Sequence, residues 1–183
     1  MKRKTAKEIL ADSFRELAQS RKADRITVKD ITENCGYSSA TFYRQFRDKY
    51  DLIAWDYSRR SGEIMDRLGV GENAWREMLR EWARFFEEDR EYLANLFLHT
   101  TGMDSFLYYM TETHDEYMQA CDRQGAGVEQ LDEKTLMYIH AYCHGNVALT
   151  CDWVLGRYAV SAEELAEVFE RTLPEPLREC LYR

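Results

Sequence analysis

The sequence predicts an all-α protein, and three observations carry that prediction. Only 2 prolines and 9 glycines interrupt the chain, while Glu, Leu, Ala and Arg, which lose little freedom in a helix, are frequent. Apolar residues recur at helical spacing from Ile9 onward. No stretch of any length alternates apolar with polar residues as a half-buried strand would. With 183 residues and 45% hydrophobic content, the chain can bury a core without disulfides or a structural metal.

Ile9, Leu10, Phe14 and Leu17 share one stripe and predict a first helix over about 4–21. Lys2, Arg3, Lys4 and Lys7 form a basic arm at its start. Thr27 and Asp30 have the spacing of a capping box and open a short second helix over about 28–34, which Gly36 ends. Ser38 or Ser39 caps a third over about 39–46, and Asp48, with Asp51 three residues on, caps a long fourth over about 49–68. Gly69-Val70-Gly71 is the clearest linker-like punctuation and marks the boundary. Residues 1–48 then form a small three-helix domain, 49–68 a connector, and 49–183 a larger helical body. Further helices are expected near about 73–88, 90–99, 104–123, 132–156 and 161–173, with breaks at Thr101-Gly102, Gly125-Ala126-Gly127 and Gly156. The last begins at the Ser161-x-x-Glu164 box and is stopped by Pro174 and Pro176.

Charge is unevenly placed. Residues 1–50 hold 12 Lys and Arg against 7 Asp and Glu, a balance of +5, so the rest of a chain of net charge −8 carries −13. A basic amino-terminal third on an acidic body suits a module that neutralises phosphates locally. The five cysteines, Cys35, Cys121, Cys143, Cys151 and Cys180, include no CxxC pair and follow a start without an apolar signal core, which points to a reduced, cytoplasmic protein. No apolar run approaches the roughly 20 residues of a membrane span.

Two short helices joined across a glycine-containing turn make a helix-turn-helix, whose second helix lies in the major groove of DNA. Here that helix reads S-A-T-F-Y-R-Q-F. At about 100° per residue, Phe42 and Phe46 fall on one side while Ala40, Tyr43, Arg44 and Arg47 cluster on the other. Arg44 can donate two parallel hydrogen bonds to guanine, the methyls of Ala40 and Thr41 can meet a thymine methyl, and Tyr43 can reach a phosphate. Thr27 and Lys49 sit at helix amino termini, whose free N–H groups attract phosphate. The expected DNA contacts are Thr27, Tyr37, Ser38, Ser39, Ala40, Thr41, Tyr43, Arg44 and Lys49. An amphipathic helix with solvated charges has the same periodicity.

The run T-V-K-D-I-T-E-N-C-G-Y-S-S-A-T-F-Y-R-Q-F-R-D-K-Y-D-L-I, residues 27–53, resembles the TetR family of transcriptional regulators through Thr27, Ile31, Gly36, Ser38, Thr41, Tyr43, Phe46, Lys49 and Leu52. It departs at Thr32, where the family usually has Ala, and at Tyr37, where it usually has Val. The tail H-G-N-V-A-L-T-C-D-W-V-L-G, followed by S-A-E-E-L-A-E-V-F, resembles the dihydroxyacetone-kinase-operon subgroup. The resemblance implies an N-terminal helix-turn-helix domain, a connecting fourth helix, and a helical body that binds an effector and dimerises. It also implies double-stranded DNA with a palindromic operator as partner.

The expected helix over about 132–156 supports a homodimer independently. One face carries Leu136, Ile139, Cys143, Val147 and Val154; the opposite face carries Tyr138, Ala141, Gly145, Ala148 and Leu149. A helix apolar on two sides is buried on both, and Ala141, Gly145, Ala148 and Leu149 are the expected interface. A central core helix in a monomer would show the same faces. Aromatic residues crowd the segment 75–144, as in a ligand pocket and equally as in a plain core. Trp82, Tyr109 and His114 are the expected effector-lining residues, and the effector is a small molecule or a protein. His140 and His144 stand one turn apart, with Cys151 two turns further on, a metal-like spacing; they are read as core or interface histidines. No metal, cofactor or catalytic residue is expected, because there is no nucleophile elbow, phosphate-cradling loop or paired-carboxylate motif. The chain is expected to be a DNA-binding regulator rather than an enzyme, and the competing reading is a dimeric interaction adaptor with weak or lost DNA binding.

Overall fold

The computed structural model describes residues 4–67, 72–102 and 105–182, and all of its regular structure is helical. The linker expected at Gly69-Val70-Gly71 lies outside the described residues. Helix α1 (Ala6–Ala18) begins at Thr5, whose side chain accepts from Glu8 N while the Glu8 carboxylate accepts from Thr5 N at 2.7 Å. This capping box fixes a start later than the basic arm suggests. A single 3-10 turn, Ala23–Arg25, leads to α2 (Val28–Cys35), α3 (Ser39–Tyr43) and α4 (Lys49–Arg67). Leu10, Phe14, Ile26, Ile31, Phe42 and Leu52 are fully buried and form the core of this amino-terminal head.

The body contains α5 (Glu72–Glu88), α6 (Arg90–His99), α7 (Phe106–Ala126), α8 (Glu133–Val154), α9 (Ala162–Thr172) and α10 (Glu175–Leu181). Helix α5 packs along α9 and α7 along α8, while α10 closes against α7 and α8. The prolines do end α9, yet Pro176 sits in the first turn of α10. There its missing N–H has no helical partner to lose, and Leu177 and Leu181 bury α10 in the core.

Head and body meet through apolar contacts such as Phe14 edge-on to Tyr92, and through polar side chains. Asn95 of α6 accepts from Ala23 N at 2.9 Å and donates to the carbonyls of Ala18 at 2.8 Å and Arg21 at 2.7 Å. One side chain thereby finishes both α1 and the 3-10 turn, whose end groups have no helical partners. Arg15 of α1 pairs with Asp89 at 2.7 Å and lies over the Tyr92 ring, and Arg60 of α4 pairs with the same Asp89. Among the described residues no helix is long and apolar enough to cross a membrane. Cys35, Cys121, Cys143 and Cys151 are free thiols.

Candidate nucleic-acid interface

The turn between α2 and α3 depends on Gly36, whose φ of 72° is left-handed. A Cβ there would meet nothing within 4 Å, so the requirement is conformational rather than steric. Tyr37 N then bonds Thr32 O at 2.9 Å, and the Ser38 side chain caps α3 by accepting from Thr41 N at 3.2 Å. The Thr32 methyl and hydroxyl fit the head because the hydroxyl turns back to Val28 O at 3.0 Å. The third helix is shorter than its periodicity suggests, since the chain turns after Tyr43 to reach the Asp48 cap of α4.

Within that short helix the two sides separate cleanly. Phe42 and Phe46 point inward and pack with ring centroids 5.7 Å apart. Ser38, Ser39, Ala40, Tyr43 and Arg44 are exposed, and Tyr37 and Thr41 are half-buried. Arg44 folds back on its own helix through long bonds to Ala40 O (3.3 Å) and Thr41 Oγ1 (3.4 Å). Such bonds are weak enough to exchange for a base edge.

Two sequence expectations change here. Lys49 does not extend toward solvent: its Nζ donates to Ala23 O at 2.8 Å, Asp24 O at 2.9 Å and Ile26 O at 2.9 Å. All three ammonium donors are engaged, so Lys49 ties α4 to the strand-like entry of α2, and desolvation lowers its pKa. The helix amino termini are also largely satisfied from within. Asp48 accepts from Tyr50 N and Asp51 N. Thr27 Oγ1 accepts from Asp30 N at 3.1 Å and donates to the Asp30 carboxylate. These bonds and Arg21 hold the Asp30 carboxyl at about 2.

In the body, the expected effector residues divide between two places. The Trp82 and His114 rings lie tilted against each other, centroids 3.9 Å apart, and line an apolar cavity of about 40 Å³ with Trp75, Tyr142, Asn146 and Phe169. Tyr109 instead borders a separate open groove of about 380 Å³ beside Trp55 and Ser58, to which its hydroxyl is hydrogen-bonded. Tyr57 stands between them, fully desolvated and 2.9 Å from His114 Nε2. His114 retains some accessible surface but is surrounded by protein, and burial pushes its pKa down to about 3. Trp75, at the start of the aromatic segment 75–144, shares this wall although it is not among the expected lining residues. The indole N–H groups of Trp75 and Trp82 are buried and find no acceptor among the described residues.

Helix α8 presents the two faces read from its periodicity. Ile139, Cys143, Val147 and Val154 face the core, whereas Ala141, Gly145 and Ala148 are exposed and Leu149 is half-buried. His140 and His144 lie on the exposed side, so neither is a core histidine.

A family model for bacterial regulatory proteins of the tetR family matches residues 10–54, and one for a transcriptional regulator C-terminal region matches residues 73–175. The chain belongs to the tetR family of bacterial regulatory proteins. Both matched regions are those of regulatory proteins. The chain is similar to the HTH-type dhaKLM operon transcriptional activator DhaS of Lactococcus lactis subsp. lactis, with 23% identity over 109 residues; the match spans 57% of this chain and 56% of that relative. Among solved structures it resembles the dihydroxyacetone kinase operon activator DhaS, with TM-score 0.64, 18% identity and coverage of 91% of this chain and 93% of that one. A TetR transcriptional regulator from Rhodococcus sp. RHA1 gives TM-score 0.66 at 16% identity, covering 94% and 97%. The fatty acid degradation regulator FadR from Bacillus halodurans gives 0.60 at 16%, covering 94% and 96%. At these identities the three structures speak to the fold alone.

Proposed function

We propose that this tetR-family regulator reads a palindromic operator as a homodimer, in the cytoplasm, and changes its DNA affinity when an effector occupies its body. Residues 1–48 act as the reading domain, α4 as the connector, and the remainder as the effector and dimerisation body. The observation that carries the reading is the division of α3, with Phe42 buried and Ser39, Ala40, Tyr43 and Arg44 exposed. Arg44 reads a guanine edge; Ala40 and Thr41 meet a thymine methyl; Thr27, Tyr37, Ser38, Ser39 and Tyr43 hold the backbone. Lys49 acts by bracing α4 behind this face.

Ala141, Gly145, Ala148 and Leu149 form the proposed dimer face, where a Cβ on Gly145 would meet nothing within 4 Å in one protomer. Close approach of a second α8 fills that space, and a two-fold dimer presents two reading helices to an inverted repeat. Trp82, His114 and Trp75 line the proposed effector site. Two free indole donors in an apolar wall, beside a neutral histidine, suit an uncharged, largely apolar effector with a carbonyl or hydroxyl acceptor.

The test is to select duplexes from random-sequence DNA with the full chain, then measure stoichiometry by sedimentation. Two protomers on an inverted repeat are expected. One protomer per duplex, or selected sites without a repeat, would contradict the dimeric reading.

A further inference from the structure

We infer that Asp115, His140 and His144 form a binding site for one first-row divalent cation of the zinc type, between α7 and the outward face of α8. Each residue offers a ligand atom, and the three atoms lie within 4.8 Å of one another. Two come from a single turn of α8, where the imidazole centroids are 3.8 Å apart. The third comes from α7, where Asp115 Oδ2 lies 2.7 Å from His140 Nδ1. This partner is invisible in the spacing of the histidines, because it is 25 residues away from His140 in sequence.

The chemistry of the set is selective. Two imidazoles and one carboxylate suit zinc, nickel or cobalt, whereas calcium and magnesium favour all-oxygen shells. Bonds of about 2.0–2.2 Å at tetrahedral angles set ligand atoms about 3.4 Å apart, so atoms now within 4.8 Å of one another must close by up to about 1.4 Å. In the single protomer both histidines are exposed and can turn to do so, at the edge of the proposed dimer face. The Asp115 side chain is only 14% exposed, and besides His140 it meets the buried Cys143 thiol. With roughly four lone-pair sites, that carboxylate can still ligate a cation alongside these two contacts. Three protein ligands leave a further position for water or an added ligand.

A plain surface ion pair needs Asp115 and His140 only, whereas a cation needs His144 as well. Replacing His144 therefore separates the two, and its exposure makes His144→Ala compatible with an intact fold. Full-length protein, stripped with chelator and kept reduced, is titrated with zinc chloride by calorimetry and with cobalt(II) by visible absorption. One zinc per protomer is expected, with cobalt bands of a nitrogen and oxygen set and no thiolate band. His144→Ala and Asp115→Asn should each weaken binding at least about tenfold with an unchanged melting curve. Absence of saturable binding, or zinc affinity unmoved by His144→Ala, would overturn the site.

Discussion

Head and body differ in how they close around their cores. In the head, Ser13 Oγ donates to Ile31 O at 2.7 Å, Thr32 to Val28 O, and Lys49 to three carbonyls. No buried side-chain nitrogen or oxygen described before Arg59 lacks a partner. Body helices α5 and α7 instead leave Trp75 Nε1, Trp82 Nε1 and Asp122 Oδ1 unanswered. A module whose buried groups are nearly all satisfied has little to gain from a ligand and is best moved as a unit; one with unused hydrogen-bonding capacity can bind and shift. On the proposed reading, regulation amounts to the body changing its energy while the head keeps its shape.

The largest expected effect lies at the seam. Asn95→Ala removes three hydrogen bonds between α6 and the head, leaving an amide and two carbonyls without them, and should lower stability by about 2–4 kcal/mol. Urea unfolding gives the total, and hydrogen exchange should show head amides opening before those of the body. A loss under about 1 kcal/mol would mean that the two regions are joined mainly by apolar packing.

His114 sharpens the contrast through pH. Its folded pKa of about 3 lies below the ordinary 6.5, so the unfolded chain binds more protons between those values. The stability from keeping His114 neutral is therefore complete above about pH 6.5 and drains away as pH falls toward 3, by at most about 1.4 kcal/mol per pH unit. Replacing it with Gln, which can still meet the Tyr57 hydroxyl, should flatten the fall in stability between pH 6.5 and 5. Parallel pH profiles for the two proteins would place the titration elsewhere.

The smallest effect belongs to Trp82→Phe. This change deletes an unpartnered N–H while keeping most of the ring, so stability should move by less than about 1 kcal/mol, in either direction. A loss of several kcal/mol in thermal unfolding would show that the indole N–H is satisfied after all, and the body would then resemble the head.

Local signals made much of the head legible. Thr27 with Asp30, Gly36 and Ser38 each act on backbone groups within a few residues, and the structure keeps every one of those caps and turns. The Ser161 and Glu164 box is equally local and equally present. Where the sequence misled, the partner was distant or the context tertiary. Lys49 reads as a free cation until its chain is seen to end on carbonyls 23 to 26 residues earlier. Pro176 reads as a stop because its tolerance at the start of α10 depends on where the preceding turn ends. Trp82, Tyr109 and His114 share aromatic character, but helix rotation sends Tyr109 to a different groove. The pairing of Asp115 with His140 required the packing of α7 on α8.

The most direct test compares Arg44→Ala with Lys49→Met by titrating the selected duplex and a scrambled one at several salt concentrations, alongside thermal melting. Arg44→Ala should lose about 1–3 kcal/mol on the selected duplex, change little on the scrambled one, and melt normally. Lys49→Met should melt earlier, because three carbonyls lose their donor, and keep the salt slope of the parent once folded. Equal losses on both duplexes from Arg44→Ala, or a salt slope reduced by about one unit in a fully folded Lys49→Met, would contradict the assignment of the exposed side of α3 as the reading face and of Lys49 as its brace.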